Sequence, residues 1–394
     1  MRFIYLICIF AVLLPVSSSL AGESIYIDAD LSPVDPCCCL GQRGNVDCSE
    51  IEDPDISDIT RLIDHLYLSH DELCCIEEAD ADGSGGHPDI SDITAVISHL
   101  YIAHDELSEC NYPVGSCCFG QRPPGPVAAL FAEDILTIDR IPHSGLTFSP
   151  DCSEIFWSQF YSTIHYSTCD GVILSEPQIP PFANQTGDAG PSFSVDGNRL
   201  FFSSNRQVTQ FPGVNPSGIW YTDRTETGWT EPVPIDVTVD TNWYTGAPTA
   251  AASGNLYFLA RLKAEYHPKI YCCEYIDGNY AEPELLAGDI NTAVDQIDPF
   301  VDPEEQFLLF SGFPVTKNPA TLDIFISFRQ PDETWGAPVA LSDAVSTDGN
   351  MERFPTLSRD GKNLFFVRAI GDHYPGDDAR FYWISADILE GLKK

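Results

Sequence analysis

The densest chemistry in the sequence is a run of oxygen-bearing side chains at alternating positions. Asp80-Ala81-Asp82-Gly83-Ser84-Gly85-Gly86-His87-Pro88 leads into Asp89-Ile90-Ser91-Asp92. Spaced carboxylates, a neutral hydroxyl, a glycine bend and a closing carboxylate on a following helix are what a hard cation such as Ca²⁺ requires. Asp80, Asp82, Ser84, Asp89 and Asp92 are the candidate ligands there. An earlier loop, Asn45-Val46-Asp47-Cys48-Ser49-Glu50, runs on to Asp55 and Asp58, and offers Asn45, Asp47, Ser49, Asp55 and Asp58. This loop is the longer of the two and carries Glu50 where a bend glycine would serve. Pro54 and Pro88 each remove a backbone donor between the loops. Both loops are therefore expected to bind Ca²⁺, the second more tightly, with modest coupling. The alternative without metal is a helical pair whose Asp residues only cap helices.

A second constellation is dispersed. His143, Asp188, Tyr244, Asp295, Asp298, Glu352 and Arg353 fall near the starts of similar segments in the later part of the chain. Paired carboxylates so placed could act as general acid and base on a glycosidic bond. No G-x-S-x-G elbow, H-E-x-x-H or phosphate-binding glycine loop occurs. His65 and His70, like His99 and His104, are five apart, which does not place them on one helix face. They read as solvated or core-edge histidines.

The acidic loops belong to a duplication with an offset of 34 residues: 14 of 19 positions agree between residues 55–73 and 89–107, too many for coincidence. Ile59, Leu62, Ile63 and Leu66, repeated as Ile93, Val96, Ile97 and Leu100, follow the i, i+3, i+4, i+7 pattern of a helix with one buried face. This paired loop–helix arrangement resembles a dockerin, an EF-hand-type tandem calcium module, over about residues 37–110. The resemblance implies Ca²⁺ as cofactor and a cohesin-like protein as docking partner.

Five later segments share another pattern. Each pairs a short strand and a tight turn with an apolar-aromatic strand, as in Pro191-Ser192-Phe193-Ser194-Val195-Asp196-Gly197 with Leu200-Phe201-Phe202, and Pro355 to Gly361 with Leu364-Phe365-Phe366. The others begin at Leu146, Pro248 and Pro299. Third strands and an aromatic-proline edge such as Trp229-Thr230-Glu231-Pro232 complete about four strands per repeat of roughly 50 residues, the signature of a β-propeller. The repeat resembles the WD40-like units of TolB-type propellers. The expected fold is therefore multidomain: a small α-helical dockerin-like module plus an all-β propeller of five four-stranded blades, with six as the alternative. The last repeat lacks a strand, and Pro126-Val127-Ala128-Ala129-Leu130 resembles Pro338-Val339-Ala340-Leu341. Residues 127–131 are expected to complete the fifth blade. The Asp-Gly turns (Asp196-Gly197, Asp360-Gly361) read as turn geometry rather than acid catalysis.

Charge and compartment set the context. Twenty Lys+Arg against 59 Asp+Glu give a net charge of −39; such a surface repels nucleic acid and anionic headgroups. Hydrophobic residues at 43% exclude a disordered acidic chain. Arg2, the apolar run Phe3 to Val16 and Ser19-Leu20-Ala21 read as a secretory signal over 1–21, so a secreted, extracellular or periplasmic protein with no membrane insertion is expected. Thirteen cysteines remain after cleavage and read as disulfides rather than a zinc cluster. Boundaries are then 22–36 as an N-terminal segment, 37–118 as the Cys-rich duplicated module, 119–126 as a Pro/Gly linker and 127–394 as the propeller. Residues 22–126 hold 22 acids and 3 bases, residues 127–394 hold 37 and 16, which makes the first part more than twice as acidic per residue. The leading functional expectation is a non-catalytic, calcium-binding interaction protein with a ligand-binding propeller. The alternatives are an O-glycosyl hydrolase of polysaccharides carried by a dockerin, with a carbohydrate ligand, and a structural envelope component.

Overall fold

The computed structural model describes residues 43–47, 53–71, 73, 75–84, 87–107, 121, 123–136, 142–159, 163–169, 174–184, 187–264, 267–292, 295–313, 321–370 and 379–392. Ser49, Gly85, Gly86 and the signal segment 1–21 lie outside them. Among the described residues, no helix is long and apolar enough to cross a membrane.

The duplicated sequence folds as a duplicated structure. Helices Ile56–Ile63 and Ile90–Ile97 each begin with a reciprocal capping box. Asp55 and Asp89 accept the Ser57 and Ser91 amides (2.6 Å each), while Asp58 and Asp92 accept the Asp55 and Asp89 amides (2.7 Å each). Ile59, Leu62, Ile93 and Val96 are buried together with Val46, Ala79 and Ala81, as the helical period requires, although Ile63 turns outward. Both helices run on into π-type turns, Asp64–Leu68 and Ser98–Ile102. There the histidines act as ties: Nδ1 of His65 and His99 donates to the Asp71 and Asp105 carbonyls at 2.7 and 2.6 Å.

The remainder is a five-bladed propeller. From the channel outward, blade 1 is Thr147–Phe148, Glu154–Ser158 and Ile164–Thr168, with Gln178 bridged to Tyr166 at its edge. Blade 2 is Ala189–Phe193, Arg199–Ser204, Gly218–Thr225 and Val233–Pro234. Blade 3 is Trp243–Ala250, Leu256–Leu262, Lys269–Cys273 and Glu284–Leu285. Blade 4 is Gln296–Val301, Phe307–Gly312, Asp323–Phe328 and Val339–Ala340. Blade 5 is Asn350–Leu357, Asn363–Ile370 and Arg380–Ser385, and its fourth strand is Ala129–Leu130. Ala129 faces Trp383 and Leu130 faces Tyr382, so the chain closes its own ring as the sequence similarity predicts, and the six-blade alternative falls.

The turns between first and second strands explain the repeated Ser-x-Asp. In blades 1, 2 and 5, Asp151, Asp196 and Asp360 each accept a serine hydroxyl two residues back at 2.6 Å and a backbone amide two residues on at 3.1 Å. The Ser194 hydroxyl foremost holds Asp196 below the usual carboxylate range. These carboxylates fasten turns. Cys75 and Cys152 are disulfide-bonded, but Cys272 and Cys273, both thiols, depart from the disulfide expectation. Neighbours on one strand point to opposite faces, and burial pushes each thiol up to about 12.

Candidate functional site

Every inner strand except that of blade 1 breaks register once, between Ala189 and Ser192, Gly246 and Thr249, Ile297 and Phe300, and Arg353 and Thr356. At each break one residue takes positive φ just before a proline: Gly190 (64°), Ala247 (49°), Asp298 (55°) and Phe354 (57°). The bulges bring neighbouring blades close around the axis. A Cβ on Gly190 would stand 3.3 Å from Ala247 Cα, and one on Gly145 would stand 2.9 Å from the Phe354 carbonyl oxygen. The four bulge residues line two cavities at once, and so form a waist between a mouth pocket of about 150 Å³ and a lower chamber of about 410 Å³.

Four of the seven dispersed residues converge on the mouth. His143, Tyr244, Asp298 and Arg353 line it, together with Arg261, which sequence reasoning missed. Arg353 Nε and Nη2 donate to Asp298 Oδ2 and Oδ1 at 2.9 and 3.0 Å, a bidentate pair with side chains 15% and 2% exposed. Arg261 lies 5.4 Å from the centre of the Tyr244 ring. Burial, assisted by Arg353, lowers His143 to about 4, so its imidazole is neutral at physiological pH and acts as a hydrogen-bonding group. Tyr244 remains 40% exposed at the rim.

Asp188, Asp295 and Glu352 do not join them, so the paired carboxylates expected of this constellation are not brought together there. Asp188 accepts Ser204 Oγ (2.6 Å), Arg206 Nη2 (2.5 Å) and the Asn184 amide (2.7 Å). Glu352 accepts Thr347 Oγ1 (2.5 Å) and Arg368 Nε (2.9 Å), and burial holds it above the usual carboxylate range. In both cases a buried acid and an arginine tie down the loop that leads into the inner strand. Asp295 turns to the exposed His267 at 3.0 Å. Among the described residues, Asp298 is the carboxylate that lines the mouth, and Arg353 occupies both of its oxygens.

In the helical pair, Asp80, Asp82 and Asp92 bring carboxylate oxygens within 4.8 Å of one another, a donor set that fits a hard dication. Asp92 also accepts the Asp82 amide (3.1 Å), and Asp82 the Ser84 amide (2.9 Å). The Ser91 hydroxyl foremost holds Asp82 down at about 2, while burial raises Asp92. Arg43 donates to the Asp80 carboxylate. The first loop is organised alike, with Asp58 accepting the Val46 and Asp47 amides at 2.6 and 2.9 Å and Asn45 buried. There Asp47 accepts the Ser57 hydroxyl (2.8 Å). Asp55 and Asp89 serve as helix caps.

The chain matches no protein-family model and no curated protein. Solved structures similar to it include TolB from Acinetobacter baumannii, at 12% identity over 63% of this chain and 57% of that one, TM-score 0.39. An α-L-arabinofuranosidase from Lactobacillus brevis shares 15% identity over 64% and 93%, TM-score 0.41. A thermostable family-43 glycoside hydrolase shares 11% over 66% and 90%, TM-score 0.41. The chain thus spans little more than half the length of TolB. The five-blade architecture rests on the strand pairing, and these likenesses leave the activity open.

Proposed function

We propose that this is an exported sugar-binding propeller carried by a calcium-dependent, dockerin-like docking module. The observation that carries the reading is the convergence of Tyr244, Arg261, Asp298, Arg353 and neutral His143 on one small pocket at the channel mouth. An exposed aromatic face beside a planar, hydrogen-bonding ion pair suits one sugar ring, which offers an apolar face and a rim of hydroxyls. Calorimetry of the full chain against arabino-, xylo- and galacto-oligosaccharides is expected to find binding that Tyr244→Ala weakens about tenfold. No heat with any of the three sets would overturn the reading.

Docking is supported by a face present twice. Tyr67 and Leu68 are 56% and 70% exposed, and their counterparts Tyr101 and Ile102 58% and 71%. Such apolar side chains on a duplicated element suit a cohesin-like partner. For Ca²⁺, Asp80, Asp82 and Asp92 would hold the tighter ion, with Asp47, Asp58 and Asn45 the weaker. Titrating the chelator-stripped full chain is expected to give two unequal binding steps, the tighter lost in Asp92→Ala. A single step that survives in Asp92→Ala, or none, contradicts it.

The second reading is hydrolysis of a polysaccharide. It draws on Glu352, whose Oε2 lacks a hydrogen-bond partner and whose carboxyl is held above the usual range by burial. Because Glu352 lies off the mouth, paired with Arg368, it would have to turn into the mouth to serve as a general acid. Asp298 would be the second carboxylate. The arabinofuranosidase among the similar structures makes α-L-arabinosides the substrates to try. Release of arabinose that Glu352→Gln and Asp298→Asn abolish would establish it; no release by the wild type would dismiss it.

A further inference from the structure

The lower chamber, on the far side of the waist from the mouth, contains a cation that no carboxylate among the described residues contacts. In this strongly acidic chain three arginines near the channel are paired with buried acids: Arg206 with Asp188, Arg353 with Asp298, Arg368 with Glu352. Among the described residues, Arg359, in the blade 5 turn, has no such carboxylate. Its Nε donates to the Phe148 carbonyl of blade 1 (2.6 Å) and its Nη2 to the Ser194 carbonyl of blade 2 (3.3 Å). The guanidinium thus reaches across the end of the channel with two neutral acceptors. Burial pulls Arg359 down to about 10, opposed by the field of Asp196.

The acids that share this chamber are committed elsewhere. Asp360 accepts Ser358 Oγ and the Lys362 amide, Asp302 accepts the Glu304 and Gln306 amides, and Asp298 holds Arg353. The walls mix the apolar side chains of Val195, Phe300 and Leu357 with the hydroxyl-bearing Thr147, Ser192 and Thr356. A partly desolvated guanidinium at a cavity of about 410 Å³ with apolar stretches of wall calls for an acceptor-rich anion with an apolar body.

We infer that the lower chamber binds a small apolar monocarboxylate, its carboxylate on Arg359 and its hydrocarbon against Val195, Phe300 and Leu357. The site is separate from the mouth, and it does not depend on the sugar-binding reading.

The probe is 3-phenylpropanoate, with the neutral 3-phenylpropan-1-ol as its matched control, titrated calorimetrically into the full chain. The acid is expected to bind, and the alcohol at least about tenfold more weakly, the loss of one charge-assisted contact. Arg359→Met should erase the preference. Val195→Trp, which fills the chamber and leaves Arg359 in place, should weaken binding of the acid, so the inference remains testable if Arg359→Met does not fold. Tyr244→Ala, at the mouth, should leave binding of the acid unchanged. No heat from 3-phenylpropanoate up to about 10 mM, an unchanged preference in folded Arg359→Met, unchanged binding in Val195→Trp, or loss of binding in Tyr244→Ala would each overturn it.

Discussion

Phe131→Ala is expected to melt about 10 °C below the wild type, and deletion of residues 127–131 lower still. Phe131 is fully buried, its ring centroid 4.9 Å from that of Phe365 and 5.2 Å from that of Trp383. Its amide donates to the Phe381 carbonyl at 2.9 Å. Truncating such a side chain costs about 3–5 kcal/mol, and in a domain of this size each kcal/mol is about 2–4 °C of Tm. Deletion removes the hydrophobic anchor and the strand together, leaving Arg380–Ser385 as an unpaired edge with backbone groups open to other chains. The deletion should therefore also raise aggregation. Val127→Ser, at a residue 75% exposed, is the matched control and should melt with the wild type. Scanning calorimetry with light scattering checks all three, and a Phe131→Ala melt within about 2 °C of wild type would show that the ring does not depend on this closure.

Closure was legible in the sequence because it depends on a local pattern. Pro-Val-Ala at residues 126–128 and again at 338–340 marks an edge strand in both places. The helical duplication was legible for the same reason, through a 3.6-residue period and capping acids. The channel was not. Counting back from each bulge, Asp188, Gln296 and Glu352 hold the same place, two residues before Gly190, Asp298 and Phe354, and all three are buried within the sheet. Asp295 and Tyr244 stand three residues before their bulges, Arg353 one, and Asp298 is itself a bulge residue. Side chains on a strand alternate faces, so a one-residue difference reverses the direction. Sequence reading placed all of these acids loosely before the first strands. It could not see bulges whose positive-φ residue is Ala247 or Phe354, residue types with little preference for positive φ. The arginine partners Arg206 and Arg368 were missed as well, since they lie on second strands or just beyond, 16 to 18 residues from their acids.

Removing the Asp298 carboxylate is expected to destabilise the propeller by about 3–5 kcal/mol, the cost of leaving a buried charge without its partner. Arg353 then keeps its guanidinium at the waist, 15% exposed and stacked 4.3 Å from the Phe354 ring centre, in a channel too narrow to hydrate it fully. Asp298→Asn is the informative change, because asparagine tolerates the positive φ of 55° found there and keeps the shape of the side chain. Asp298→Ala adds backbone strain and should be worse. The double variant Asp298→Asn/Arg353→Met removes both charges and should recover much of the loss, since a matched apolar replacement of a buried pair is often near neutral. Urea unfolding of the wild type, Asp298→Asn, Arg353→Met and the double variant closes the cycle. If the double variant is as unstable as the sum of the singles, the pair is not coupled and Asp298 is held at the mouth by something other than Arg353. If it recovers stability yet loses oligosaccharide binding, the ion pair is present for the ligand and the fold could do without it.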